Sequence, residues 1–203
     1  HAPVETAAWH ESRNPSNPGQ IVGRTALCDQ EIAGRAVAAA RQAAEGWAAT
    51  PAAARAAVLD RAADLLHARR FEAAAWMVFE VGKTWTEAQG DLMETIDYLR
   101  FYAREARRIY ARNRRRDYPG EMNEYFYQPR GVVAVIGPFC FPMALIAGMT
   151  AAALVTGNTV IMKPARAASV CGAKLAEVLI EAGLPPGVLN FVPGHGKREI
   201  LGF

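Results

Sequence analysis

The chain has 203 residues, of which 51% are hydrophobic and 21% are charged, and its formal net charge is +3. These values are ordinary for a folded domain, and they exclude a disordered chain or one that binds nucleic acid through charge alone. The cysteines form no CxxC pair, the histidines have no metal-ligand spacing, and no apolar run approaches the ~20 residues of a membrane span. We therefore expect a metal-free, cytosolic protein with reduced thiols that binds neither nucleic acid nor membranes.

Residues 1–28 are predicted to be an irregular segment that contains one short strand. Asn14-Pro15 and Asn17-Pro18-Gly19 are typical of turns. The strand is expected at residues 20–27, between these turns and the first helix.

A helical layer is predicted over residues 29–118, because apolar and alanine residues recur there with helical spacing. Asp29 is a favoured N-cap residue, and Thr50-Pro51 combines a cap residue with proline at the first helical position. Gly82 is typical of a helix end. The expected helices are residues 29–47, one that starts at Pro51, residues 71–81, and residues 84–110.

The charged residues of this layer are interpreted as surface features. Glu80 and Lys83 are three residues apart, which on a helix gives only a weak surface contact, so we assign them no chemistry. An arginine cluster near the end of the last helix would suit an anionic partner. Cations are also favoured at helix C-termini, and no aromatic RNA-binding motif accompanies the cluster, so we interpret it as a solvated helix end. Its members are Arg104, Arg107, Arg108, Arg112, Arg114, Arg115 and Arg116.

Three short apolar runs alternate with helical segments in residues 119–203. They are residues 132–136, 159–162 and 188–192, and residues 124–129 are predicted to form an edge strand and hairpin before them. Unbroken apolar strands imply burial on both faces, as in a parallel sheet covered by helices. The predicted fold class is therefore α/β: a helical layer followed by β-α-β-α-β, the first half of a Rossmann-like doubly wound sheet.

Candidate binding residues follow the ends of these runs, where open α/β sheets bind ligands. Lys163 ends the second run, and its ammonium would donate to ribose hydroxyls or pair with phosphate. Cys140 follows the first run near a helix start, where thiols can be activated, but no histidine is close in sequence, so an inert residue is preferred. Gly194-His195-Gly196 would allow either close approach to a nucleotide or simply a tight turn.

The motifs around these positions resemble the aldehyde dehydrogenase superfamily. Residues 79–85 and 119–124 look like the subgroup that oxidises glutamate γ-semialdehyde (1-pyrroline-5-carboxylate), which occurs alone or fused to proline dehydrogenase. The resemblance covers about residues 12–196 and corresponds to the N-terminal part of such enzymes. The superfamily motifs are Ile136-Gly137-Pro138-Phe139-Cys140-Phe141-Pro142, Gly157-Asn158-Thr159-Val160 leading into Lys163-Pro164, and residues 181–188.

The resemblance implies a reaction, a cofactor and a set of contacts. A cysteine thiolate attacks a small aldehyde, hydride passes to NAD+, and a glutamate-activated water releases the acid. Lys163 would contact the adenosine ribose, and Gly196 would lie near the adenine. The hairpin near residues 124–136 would support a homo-oligomer, as it does in relatives. The residues expected to border the nicotinamide are Ile136, Pro138 and Phe139.

Two positions depart from the family pattern. The family has an asparagine that helps to hold the oxyanion where this chain has Cys140, and a thiol is a weaker donor. Loss of one such donor costs ~10²–10³ in rate. Arg166 stands where the family often has a ribose-binding glutamate. An arginine there could instead favour a phosphate, which leaves NADP open as an alternative to the expected NAD.

The family's nucleophile and glutamate base would follow residue 196, and this sequence contains neither. We therefore do not expect turnover from this chain alone. The leading hypothesis is the cofactor-binding part of an NAD-dependent semialdehyde dehydrogenase. The alternatives are a non-catalytic structural or oligomerisation module related to these enzymes, and a stand-alone nucleotide-binding protein.

Overall fold

A computed structural model describes residues 6, 8–111, 113–114 and 118–194. An antiparallel hairpin is followed by a helical layer and then by a parallel sheet of three strands, which lie side by side in chain order. This arrangement confirms the predicted α/β fold. The elements are β1 (Trp9–Asn14), β2 (Asn17–Ala26), α1 (Gln30–Ala49), α2 (Ala52–Ala68), α3 (Arg70–Val81), α4 (Trp85–Ile109), β3 (Asn113–Arg114), β4 (Glu124–Tyr125), β5 (Val132–Ile136), α5 (Ala144–Val155), β6 (Thr159–Lys163), α6 (Ser169–Glu181) and β7 (Leu189–Phe191).

The described part of residues 1–28 is a β-hairpin, so the prediction of an irregular segment with one short strand is wrong. β1 pairs antiparallel with β2, and the Asn14 side chain accepts the Ser16 N–H at 2.9 Å in the connecting turn. The Thr25 hydroxyl donates to the Ser169 hydroxyl at 2.8 Å and ties the hairpin to α6. The polar sequence of β1 gives no strand signal, because its conformation depends on pairing with β2.

The helices of the layer follow the predicted caps with one exception. The Asp29 carboxylate accepts an amide hydrogen of the first turn of α1, and Thr84 and Glu87 form a reciprocal capping box at the start of α4. Thr50 was expected to cap α2 but instead ends α1 in an extended conformation. Proline at the next position disfavours the helical conformation of the residue before it, so α2 begins one residue later than predicted.

Helices cover both faces of the sheet. Val160 and Met162 of the central strand β6 point into the main core, which also contains residues of α2, α4, α5 and α6. Ile161 points the opposite way and packs against Ala33 and Ala40 of α1. The doubly wound arrangement therefore follows from the alternation of side chains along one strand.

The predicted edge strand at residues 124–129 is shorter than expected. Only Glu124–Tyr125 pairs, and its partner is the two-residue strand Asn113–Arg114. Among the described residues this ribbon is separate from the parallel sheet.

Candidate functional site at the carboxyl edge of the sheet

The carboxyl ends of β5 and β6 lie side by side. The strands are parallel and in register, so that Ile136 pairs with Lys163, and the Gly137 N–H donates to the Lys163 carbonyl at 3.0 Å. Ile136 is 52% exposed and Phe139 is 58% exposed. The two strand ends therefore form one open surface, the carboxyl ledge, which comprises residues 136–141 and 163–166.

Lys163 is the candidate polar contact of the carboxyl ledge. Its side chain is half-buried, and its ammonium donates to the Pro164 carbonyl at 3.1 Å. Burial lowers the pKa of Lys163 because it disfavours the charged form. An ammonium has three donors, so this side chain retains donors for the hydroxyl groups of a ligand. Arg166 is exposed on the same turn, at the start of a short 3₁₀ helix.

Cys140 is exposed in the turn between β5 and α5, whereas Cys28 and Cys171 are buried. Burial raises the pKa of the Cys28 thiol to about 11. Burial also raises the pKa of Cys171 well above its usual value, and the nearby Glu80 carboxylate adds to this effect. The sequence placed Cys140 in this turn correctly, and the structure makes it the accessible thiol among the three.

Cys140 is expected to react with Ellman's reagent ~100-fold faster than Cys28 or Cys171 at pH 8 in the native protein. A thiol with a pKa near 11 is only about 0.1% thiolate at that pH, and the thiolate is the nucleophile. The measurement is the release of thionitrobenzoate, with an expected fast phase of one thiol and all three thiols reactive in guanidinium. Cys140→Ser should remove the fast phase, and a fast phase of two or three thiols would contradict the structure.

Two residues to which the sequence interpretation gave no role contact the turn that carries Cys140 and the start of α5. The Asp91 carboxylate is fully buried, and its Oδ1 accepts the N–H of Ala144, the first residue of α5, at 2.8 Å. Its Oδ2 lies 3.2 Å from the Lys83 ammonium, in an ion pair rather than an aligned hydrogen bond. Burial raises the pKa of Asp91, and the Ala144 N–H and the Lys83 ammonium partly oppose this. The Lys83 ammonium also lies 4.1 Å from the Phe141 ring centroid.

Glu80 makes the corresponding contact at α6. Its carboxylate is buried and accepts the N–H groups of Val170 at 2.8 Å and Cys171 at 2.7 Å. The prediction that Glu80 and Lys83 share a weak surface contact is therefore wrong. α3 ends at Val81, and the next residue, Gly82, turns the chain with a φ of +71°. The side chains of Glu80 and Lys83 therefore point in different directions. A usable signal existed, because Glu80 continues the buried stripe of α3 that includes Met77, and a carboxylate on such a stripe needs a partner.

These carboxylates restrict what the carboxyl ledge can bind. A helix N-terminus after a strand is a common phosphate site, because its free N–H groups and its dipole attract anions. Asp91 already accepts one of these N–H groups at α5, and Glu80 accepts two of them at α6. The two carboxylates therefore disfavour a phosphate at these helix starts, and the ledge offers an ammonium and apolar surfaces that would suit a ribose and a ring.

The structure brings most of the candidate residues to this one edge. Gly196 and His195 lie outside the described residues, and no group of three or more potential metal ligands was found in the described part of the chain. None of the described helices is both long enough and apolar enough to cross a bilayer. Cavities of about 80 Å³ and 360 Å³ lie beside α2 and α6 instead of at the carboxyl ledge. The candidates on the ledge are Ile136, Pro138, Phe139, Cys140, Lys163 and Arg166.

Comparison with known proteins identifies the family to which this chain is similar. Residues 3–200 match the model of the aldehyde dehydrogenase family. The 1-pyrroline-5-carboxylate dehydrogenase of Geobacillus thermodenitrificans is 48% identical over 187 residues, which are 92% of this chain and 36% of that protein. The enzyme of the same name from Bacillus subtilis is 45% identical over 195 residues, which are 96% of this chain and 38% of that protein. The chain thus spans slightly more than a third of the length of these curated relatives.

Solved structures show the same similarity. The 1-pyrroline-5-carboxylate dehydrogenase from Thermus with bound NAD superposes with a TM-score of 0.92 at 45% identity, over 96% of this chain and 38% of that one. Proline utilization A from Bdellovibrio bacteriovorus superposes with a TM-score of 0.94 at 44% identity, over 96% of this chain and 20% of that one. These matches confirm the resemblance that the motifs indicated. The chain belongs to the aldehyde dehydrogenase family.

Proposed function

We propose that this chain forms the N-terminal part of the cofactor-binding domain of a cytoplasmic, NAD-dependent dehydrogenase that oxidises L-glutamate γ-semialdehyde to glutamate. The observation that carries the proposal is the pairing of Ile136 with Lys163, which puts both strand ends at one exposed edge. The similar proteins named 1-pyrroline-5-carboxylate dehydrogenase, one of them with bound NAD, support the reaction and the cofactor. We assign the nucleophile and the base to the part of these relatives that the chain does not span.

NAD+, when bound, would supply the hydride acceptor. On this chain the Lys163 ammonium would donate to the hydroxyls of the adenosine ribose, since it is half-buried beside the strand end. Ile136, Pro138 and Phe139 would form an apolar border that excludes water from the nicotinamide side. Cys140 would lie where the family holds the oxyanion, with a thiol as a weak donor.

A second candidate function is a non-catalytic structural or oligomerisation module. The exposed Cys140 at the oxyanion position favours it, because a module without turnover does not need the amide that the family uses there. The aromatic residues Tyr125, Phe126 and Tyr127 are exposed beside the β3–β4 ribbon and would suit a contact between copies of the chain. The two functions differ in whether the carboxyl ledge binds a nucleotide.

Lys163→Met is expected to weaken NAD+ binding by roughly 5- to 10-fold, because it removes a charged donor from a partly exposed site. The measurement is saturation-transfer difference NMR of millimolar NAD+ with the chain, in which the adenosine ribose protons should receive the strongest transfer. Lys174→Met is the matched control, since Lys174 pairs with Glu177 on α6 and lies away from the ledge.

The outcomes separate the two functions. Saturation transfer to NAD+ that is weaker in Lys163→Met but unchanged in Lys174→Met supports a cofactor site. If the wild-type chain shows no transfer even at a 10-fold higher NAD+ concentration, the result supports the module. The same titration with 2′,5′-ADP and 5′-AMP tests Arg166. If the wild-type chain prefers 2′,5′-ADP to 5′-AMP and Arg166→Glu loses this preference, the turn accepts the additional phosphate of NADP.

A further inference from the structure

We propose that Lys83 and Asp91 are positioning residues that hold the turn at residues 138–143, and with it Cys140 at the oxyanion position. The second half of this statement rests on the proposed function, and the first half rests on geometry alone. Lys83 lies at the corner between α3 and α4, and Asp91 lies in the second turn of α4, so both are outside the sheet and its connections. Neither belongs to the carboxyl ledge itself.

The end of the turn depends on Asp91. At its start, the turn is fixed by the main-chain bond from the Gly137 N–H to the Lys163 carbonyl. At its end, Met143 caps α5 without a side-chain hydrogen bond, and the Ala144 N–H donates to Asp91. A carboxylate from another helix thus replaces the local cap that α5 lacks.

Lys83 connects this carboxylate to the turn. The Asp91 side chain has no exposed surface and that of Lys83 is 12% exposed, so the ion pair is almost free of water. A buried carboxylate needs a counter-charge, and Lys83 provides it. The same ammonium lies over the Phe141 ring, within the range of a cation–π contact. One cation therefore contacts both the buried acceptor and the middle of the turn.

The position of Lys83 is itself fixed by its neighbours. Gly82 has a positive φ, and a Cβ at this residue would lie 2.9 Å from the Pro15 ring, so the corner packs closely against the hairpin. Thr84 begins α4 with its capping box directly after Lys83. By contrast, Phe139, Cys140 and Phe141 of the turn are exposed and gain little from burial, whereas Pro142 and Met143 at its end are buried. The Lys83–Asp91 pair therefore provides the polar contacts of a turn whose end is also packed into the core.

Amide hydrogen exchange at residues 138–145 tests the proposal without requiring turnover. Asp91→Ala removes the acceptor of the Ala144 N–H and should raise exchange there about 10- to 100-fold relative to exchange in β6. Asp91→Asn keeps an acceptor oxygen and should stay within about 3-fold of the wild type. Lys83→Met leaves a buried carboxylate without its cation, so exchange in the turn should rise, and the double variant Lys83→Met/Asp91→Asn should restore it.

Asp29→Ala is the matched control, because it removes the exposed side-chain cap of α1 and lowers stability without touching the turn or Lys83. It should leave the ratio of exchange in the turn to exchange in β6 unchanged. The proposal is overturned if Asp91→Ala leaves this ratio unchanged, or if the double variant exchanges no more slowly than Lys83→Met. If Asp91→Ala does not fold, the comparison of Lys83→Met with the double variant tests the proposal in its place.

The link to catalysis has its own readout. In the proposed dehydrogenase, Lys83→Met should lower kcat and leave the KM for the aldehyde unchanged, because an oxyanion exists only after attack on the aldehyde. A rise in KM with unchanged kcat would contradict a role at the oxyanion position. The exchange result would still decide whether the pair holds the turn, so failure of the proposed function and failure of the positioning role are distinguishable.

Discussion

Cys140→Asn is expected to raise kcat by ~10²–10³ in a protein that joins this segment to the family's nucleophile and base. The side chain is exposed in the turn after β5, where an asparagine amide would donate to the developing oxyanion more strongly than a thiol does. The increase should appear in kcat and kcat/KM together, because the oxyanion is absent from the bound substrate. The measurement is the initial rate of NADH formation with glutamate γ-semialdehyde.

One further variant makes this result interpretable. Cys140→Ala should be no faster than the wild type, because it removes the weak donor and adds none. If Cys140→Ala and Cys140→Asn are both faster than the wild type, the thiol is inhibitory and the donor argument is refuted. If neither the wild type nor Cys140→Asn turns over, the non-catalytic module becomes the better description.

Glu80→Leu is expected to lower the free energy of unfolding by about 2–4 kcal/mol. The buried carboxylate accepts two N–H groups at the start of α6, and leucine leaves both without an acceptor. Glu80→Gln retains one acceptor oxygen and should lose roughly half as much. The measurement is unfolding in urea followed by circular dichroism.

Glu177→Gln is the matched control for Glu80. Glu177 lies on α6, the helix whose start Glu80 contacts, but its carboxylate is exposed and pairs with Lys174. Its replacement should change stability by no more than about 0.5 kcal/mol. A loss of similar size in Glu177→Gln and Glu80→Leu would mean that the contact with the N-terminus of α6 does not stabilise the fold.

The helices and the parallel strands could be predicted because their signals are local. Asp29, Gly82 and Thr84 mark helix ends through contacts with residues only a few positions away. The apolar runs predicted buried strands, and two such strands joined by a helix form a parallel pair. The hairpin at the N-terminus could not be predicted in full, because β1 has a polar sequence and owes its conformation to β2.

The candidate site was predicted where it follows from topology. Ile136 and Lys163 each end a strand, and the parallel register brings such ends together. The supporting residues were missed, because their partners are far away in the sequence. Asp91 binds an amide 53 positions away, and Glu80 binds amides 90 and 91 positions away. Rules based on residue spacing apply only to residues a few positions apart, so they do not predict these contacts.

The amino-acid sequence by itself therefore determined the family, the helices of the layer, the three buried parallel strands, and the edge at which the candidate residues meet. Periodicity, caps and short motifs record contacts between residues that are near in the chain. Only the tertiary structure decided that Glu80 and Asp91 occupy the N-termini of α6 and α5, and that Lys83 contacts both Asp91 and Phe141. A buried charge finds its partner through packing, and packing brings together residues from separate parts of the chain.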